Sequence, residues 1–259
     1  GREPMVPLRL FRSPIFSGTN LMALFLYGAL SAFGVFFTLN VQQVQGYSAT
    51  LSGITFLPFA IILTVMSPWA GKLSDRHGPR RFLIIGPLLA GLGFAWSALI
   101  GLTDGPAQYF TTFFPGIALF GIGMGFTVAP LTAAVMGSVP KDASGTASGV
   151  NNAVTRLAGV LAVAVIGAVG IAAFGGSIVD LGTQAGLSAV QVQELAARAP
   201  DLGAAQVPAG FSGQAAESAR LVLRDGFIGV YQLSAWICAA LCFASAAMSW
   251  FFVRNDPSE

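Results

Sequence analysis

Long stretches of this chain carry no charged residue. Five of them exceed twenty residues: Ser13 to Gly71 (59 residues), Phe82 to Thr103 (22), Gly105 to Pro140 (36), Leu157 to Val179 (23) and Gly226 to Val253 (28). A charge at the centre of a bilayer costs about 2.5 to 3.5 kcal/mol on insertion scales, and about 20 apolar helical residues cross the hydrocarbon core. The first run is too long for one crossing. It is interrupted by Gln42, Gln43, Gln45, Gly46, Tyr47 and Ser48, so it reads as two spans joined by a polar turn. The pattern predicts six spans, near 15–41, 50–71, 82–103, 109–138, 150–176 and 226–252. A transmembrane β-barrel would show segments of about ten residues alternating polar and apolar, whereas these runs are apolar on every face. The expected fold class is an all-α membrane protein, a six-helix bundle.

One long polar connection remains, from Asp180 to Asp225. It holds a mildly amphipathic stretch at Ser188 to Arg198, followed by Pro200, Gly203, Pro208, Gly210 and Gly213. The expectation is an exposed loop, 180–225, with one short helix. Lys and Arg then give orientation. Ten fall on one side of the predicted spans: Arg2, Arg9, Arg12, Lys72, Arg76, Arg80, Arg81, Lys141, Arg156 and Arg254. Arg198, Arg220 and Arg224 fall on the other, all within the long connection. Both ends of the chain are therefore expected to be cytoplasmic, with the turn at Gln42, the turn at Asp104 and the 180–225 loop facing outward.

Composition narrows the class further. Of 259 residues 54% are hydrophobic and only 9% charged, against about 25% charged in soluble domains, and mean hydropathy is +0.73. That excludes disorder. Thirteen basic and eleven acidic residues lie in short clusters rather than on a basic face with interleaved aromatics, so nucleic acid is not an expected partner. Cys238 and Cys242 sit one helical turn apart in an apolar run and behave as small apolar residues rather than as a disulfide framework. The sole histidine, His77, lies in a loop. There is no intramembrane nucleophile and base pair, and one histidine with two distant cysteines cannot make a four-ligand metal site. Neither an enzyme, a metal nor a cofactor is expected. The chain opens on Gly1 and its first apolar stretch is of full-span length, so it reads as part of a longer polypeptide.

The turn between the second and third spans carries the most information. Gly71 and Gly78 suit a tight reversal, Asp75 can accept hydrogen bonds from a neighbouring helix N-terminus, and Arg76, Arg80 and Arg81 can bridge to carboxylates or lipid headgroups. On charge alone a plain positive-inside anchor explains the same residues. The order of residues goes further: Gly71, Leu73, Asp75, Arg76, Gly78 and Leu83, with Arg80 in place of a lysine, resemble the signature loop of the major facilitator superfamily. Ser74 is a tolerated small residue, and Pro79 departs from a usually basic position. The segments Gly121 to Pro130, Val139 to Asn152 and Arg156 to Gly159 are similar to the C-terminal half of that superfamily's fourteen-helix drug:proton antiporters.

Gly121, Gly123 and Gly125 allow close helix approach, and Pro130 removes a backbone donor and can kink its helix. They do not form a dinucleotide loop, because no polar strand-to-helix turn surrounds them. Asp142 to Gly149 precedes the fifth span, with Ser144 suited to capping and Gly145 and Gly149 leaving the backbone approachable. Asn151, Asn152 and Arg156 open that span: they serve as caps with a snorkelling arginine, or as polar contacts across a cavity. The resemblance implies that Asp75 docks on a helix of an opposite, missing N-terminal half and holds the cytoplasmic side closed. The helix start at Gly145 and Gly149 would receive the equivalent aspartate in return.

The implied function is export of small lipophilic molecules across the bacterial inner membrane by alternating access, coupled to protons. The implied partners are the lipid bilayer, the second half, the substrate and protons. No Asp or Glu lies in the six predicted spans, so a coupling carboxylate would come from the missing half or from loops. The competing expectation is a self-contained six-helix protein that works as a homodimeric exporter or as a scaffold.

Overall fold

A computed structural model describes residues 8–253; Arg2 and Arg254 of the basic set lie outside it. The described chain is α-helical with no strand among the described residues. Helix α1 runs Pro14–Leu39, α2 Ala49–Thr55, α3 Leu57–His77, α4 Arg80–Ala98, α5 Phe113–Gly137, α6 Ser144–Gln184, α7 Ala189–Ala196 and α8 Gly213–Phe252. Six stretches are long and apolar enough to cross a membrane: Pro14–Val44, Ala49–His77, Arg80–Ala98, Phe113–Gly137, Lys141–Gln184 and Gly213–Phe252. The all-α six-helix class is the observed one.

The helix ends follow local chemistry. Ser13 caps α1 by accepting from the Phe16 N–H, with Pro14 at the first helical position where its missing N–H costs nothing. The α1 backbone widens into a π turn over Asn40–Val44 and stops at Gly46, where φ is +74°. Ser48 then caps α2. The tight α3–α4 reversal turns on Gly78, at φ +79°, a conformation that disfavours any side chain.

Two parts of the chain depart from the sequence expectation. The 180–225 connection is not an exposed loop. Helix α6 continues to Gln184 and α8 begins at Gly213, so both long helices run past their charge-free runs. Between them α7 carries a capping box from Ser188 to Gln191, and Leu187, Val192, Leu195, Ala199 and Phe211 are buried in the main core. The amphipathic face of this segment therefore forms a packed cap over one end of the bundle. The second departure is at the other end: α6 starts at Ser144, so Asn151, Asn152 and Arg156 lie seven to twelve residues inside the helix rather than at its start.

Packing follows a simple order. Helix α4 lies between α5 and α8, α1 lies between α8 and α6, and α3 leans on α5. Helices α3 and α6 are thus the outer members. On α3 only Ala70 and Ser74 are buried, and Leu57, Ile61, Val65, Trp69 and Leu73 form an exposed apolar row at four-residue spacing. Leu157, Val160, Leu161, Val165 and Val169 make a second exposed apolar row on α6. The two ends of the bundle differ in charge. Arg9, Ile15, Asp75, Gly78, Ser138, Asp142 and Val253 line two adjoining hollows at one end. The opposite end is tied by Gln45 to the Gly101 carbonyl (2.9 Å), by Tyr109 to the Thr55 carbonyl (2.8 Å) and by Gln232 to the Ile100 carbonyl (3.2 Å), and it carries Arg220 and Arg224.

Candidate functional site: the signature turn and the α6 start

Gly78 reverses the chain and Pro79 occupies the position before the first residue of α4, where its carbonyl accepts from the Leu83 N–H. Proline in place of a basic residue thus serves as a helix-start residue. Gly71 lies where a Cβ would come to 3.3 Å from the Ala129 Cβ, so α3 and α5 touch at that level. Ser74 is buried, which explains the need for a small residue there. Leu73, Asp75 and Arg76 are exposed.

Arg80 reaches across the bundle. One guanidinium nitrogen donates to the Trp250 carbonyl at 3.0 Å and the group stacks 5.1 Å from the centre of the Trp250 ring. A cation at the last turn of α8 also meets the negative end of that helix. Asp75 has no such partner: it makes no hydrogen bond or ion pair among the described residues, and it lies in the last turn of α3, where the helix dipole disfavours a negative charge. It borders a hollow of about 290 Å³ with Ile15, Gly78, Pro79 and Val253.

The α6 start differs from expectation in one detail. Ser144 does not cap the helix; its hydroxyl donates to the Lys141 carbonyl at 2.8 Å, while Ala143 is the preceding residue and offers no side-chain bond. Amide groups of this first turn therefore have no side-chain partner among the described residues. Gly145 and Gly149 pack on no described residue of this chain, since a Cβ at either would meet no atom of one within 4 Å. Of the polar residues beyond them, Asn152 and Arg156 are exposed, and the buried Asn151 side-chain oxygen has no hydrogen-bond partner among the described residues.

Gly121, Gly123 and Gly125 are packed. A Cβ on Gly121 would lie 3.3 Å from Ile62, one on Gly125 2.8 Å from Met66, both on α3, and one on Gly123 2.5 Å from the Gly86 carbonyl of α4. Pro130 is buried inside α5 without ending it. The α4–α5 seam also uses Gly86, Gly93 and Gly116, which sequence reasoning passed over. A Cβ at Gly93 would lie 2.5 Å from the Gly116 carbonyl. The available signal was the seven-residue spacing shared by Gly86 with Gly93 and by Gly116 with Gly123.

Towards the opposite end Tyr47 and Tyr109 are held neutral. Burial raises the pKa of each, and Tyr109, which also feels Tyr47, is pushed up to about 12.

A six-helix membrane bundle with small-residue seams, and a glycine-turned basic loop between its second and third long helices, is the architecture of one half of a transporter of the facilitator type. The family model described as the Major Facilitator Superfamily matches residues 1–163, and the chain belongs to that superfamily, whose members are transporters rather than enzymes. The chain is 28% identical, over 99% of its own length and 47% of the relative's, to the tetracenomycin C resistance and export protein of Streptomyces glaucescens. It is 33% identical to the cephamycin export protein CmcT of Amycolatopsis lactamdurans, over 63% of this chain and 33% of that one. It is 29% identical to the multidrug resistance protein Stp of Mycobacterium tuberculosis, over 64% and 30%. The chain therefore spans less than half the length of these relatives. It is a multi-pass membrane protein.

Proposed function

We propose that this chain is one half of a bacterial inner-membrane exporter that moves lipophilic small molecules by alternating access, with protons as the coupling ion. The observation that carries the reading is the pair of uncovered helices. Helices α3 and α6 each present an exposed apolar row, and on the same helices lie Asp75, without an ion pair or hydrogen bond among the described residues, and the first turns of α6, whose Gly145 and Gly149 face no described residue. A second half of similar design would lie opposite both across a cavity, meeting this half at the signature-turn end, with Asp75 docked on one of its helix N-termini and its own loop aspartate received at Gly145 and Gly149. Rocking of the halves would then expose a cavity between them to each side in turn. Asn151, Asn152 and Arg156 would contribute polar contacts to that cavity. The names of the relatives, which include export and resistance proteins, support export as the direction. The cluster of basic residues around the signature turn supports a cytoplasmic position for that end.

The test is efflux. The protein expressed from its complete reading frame is reconstituted in vesicles, and three fluorescent lipophilic dyes, one neutral, one cationic and one anionic, are followed under an imposed proton gradient. Gradient-dependent movement of at least one dye, abolished by a protonophore, is expected. No movement of any dye with correctly inserted protein overturns the reading.

A further inference from the structure

The largest of the cavities described lies between α3 and α5, about 550 Å³, and runs from the middle of the bundle to its signature-turn end. Its walls are apolar. Val65, Met66 and Trp69 of α3 and Phe126 of α5 form them, and Trp69 is 79% exposed. Its mouth is cationic, with Lys72 and Arg76 one helical turn apart. No acidic residue lines it. Asp75, between these two in sequence, faces the separate hollow beside Pro79. The two ion pairs among the described residues are Arg220 with Glu217 and Arg224 with Asp225, at the far end, so the charges of Lys72 and Arg76 are not neutralised within the described residues.

We propose that this cavity takes lipophilic anions as cargo, the apolar body lying on Val65, Met66, Trp69 and Phe126 and the anionic group meeting Lys72 and Arg76. Two cations with no ion pair among the described residues, set at the edge of an apolar wall, favour an anion and repel a cation of the same shape, because like charges at such a site repel and opposite charges attract. An arginine and a lysine together suit a carboxylate or sulfonate, the arginine through paired N–H donors and the lysine as a point charge. Charge selectivity is therefore built into this half, while the apolar walls leave the shape of the body loosely specified. The assignment of the ligand as cargo rests on the export reading; the binding site does not.

A matched pair of probes tests it: 1-pyrenebutanoate and 1-pyrenebutyl-trimethylammonium, which share an aromatic body and carry opposite charges. The protein from its complete reading frame is held in phosphatidylcholine nanodiscs, and energy transfer from Trp69 to pyrene is read as the difference between wild type and Trp69→Phe. The anion is expected to half-saturate this signal at a concentration about tenfold lower than the cation, as a hydrogen bond to a charged group implies. Lys72→Gln should raise the anion's half-saturation severalfold and Lys72→Arg should restore it, with size-exclusion profiles showing that the variants fold. Equal affinity for the two probes, or no effect of Lys72→Gln in a folded protein, overturns the proposal. Displacement of the anion when phosphatidylglycerol replaces part of the phosphatidylcholine assigns the cavity to lipid and overturns the cargo role. Selective anion binding without any efflux leaves the site standing and sinks the export reading. Efflux of dyes without charge-selective binding does the reverse.

Discussion

Gly123→Ala adds one methyl group at the α4–α5 seam, and the structure gives its consequence directly. The new Cβ would lie 2.5 Å from the Ala90 nitrogen and 2.5 Å from the Gly86 carbonyl oxygen, about 0.9 Å inside the 3.4 Å of ordinary contact. Both obstacles are backbone atoms in the middle of a helix, so no rotamer change relieves them. The helices must part, and parting them also loosens Gly93 against Gly116 one step along the seam. Overpacking of this kind costs about 1 to 3 kcal/mol, and within a bilayer little is regained, because helix association there depends on close packing rather than on expulsion of water. Gly229→Ala in α8 is the matched control: among the described residues nothing lies within 4 Å of its Cβ, and alanine in a helix is worth about 0.5 to 1 kcal/mol over glycine. Denaturation in a maltoside detergent, followed by circular dichroism and by the fluorescence of the four tryptophans, should show Gly123→Ala below wild type and Gly229→Ala at or above it. If Gly123→Ala is as stable as wild type, the seam is not closely packed and the reasoning fails.

Other consequences concern the two ends. Asp75→Asn keeps the side chain's shape and removes the charge that the proposed docking places at a helix N-terminus of the second half, an interaction of about 0.3 to 2 kcal/mol; maleimide accessibility of positions at the signature-turn end in the full-length protein should rise, and an unchanged pattern with wild-type efflux counts against a gating role. Arg80→Gln loses the bond to the Trp250 carbonyl and the ring stacking, about 1 kcal/mol in all; hydrogen exchange should quicken in the last turns of α8, and unaltered exchange would mean that Arg80 does not brace that end. Burial holds Tyr109 neutral in the fold to about pH 12, whereas the unfolded phenol ionises near its ordinary value of 10.0, so its contribution to stability is complete below pH 10 and is lost as pH rises towards 12. Tyr109→Phe should flatten that alkaline loss, and an identical alkaline profile would remove Tyr109 as its source.

What the sequence discloses here has a physical boundary. Charge-free runs reveal the helices because lipid excludes charge, but they do not mark helix ends where a helix continues into water. Helix α8 carries Glu217, Arg220 and Arg224 in its first turns, and α6 carries Asp180 near its last; those charges are tolerated since the turns stand clear of the apolar segment. The signature turn is legible because several residue types must occur in a fixed order within one reversal, with Gly78 the clearest at positive φ. The α4–α5 seam is not legible in the same way: a glycine in an apolar run reads alike whether it faces a helix, as Gly123 does, or open space, as Gly149 does. The cavity lined by Val65, Trp69, Phe126 and Lys72 joins residues more than fifty positions apart, and only the leaning of α3 on α5 brings them together.

In the proposed half-transporter the exposed rows of α3 and α6 face a second half and a water-filled cavity rather than lipid. Single cysteines at Val65 and Val160, which are 60% and 68% exposed, and at Leu92 of α4, which is 51% exposed, distinguish these environments in the full-length protein. A membrane-impermeant maleimide should label positions 65 and 160 in a fashion that changes with an imposed proton gradient, and should leave 92 unlabelled. If 65 and 160 stay as unreactive as 92 under every condition, those rows face lipid and the half-transporter account is contradicted.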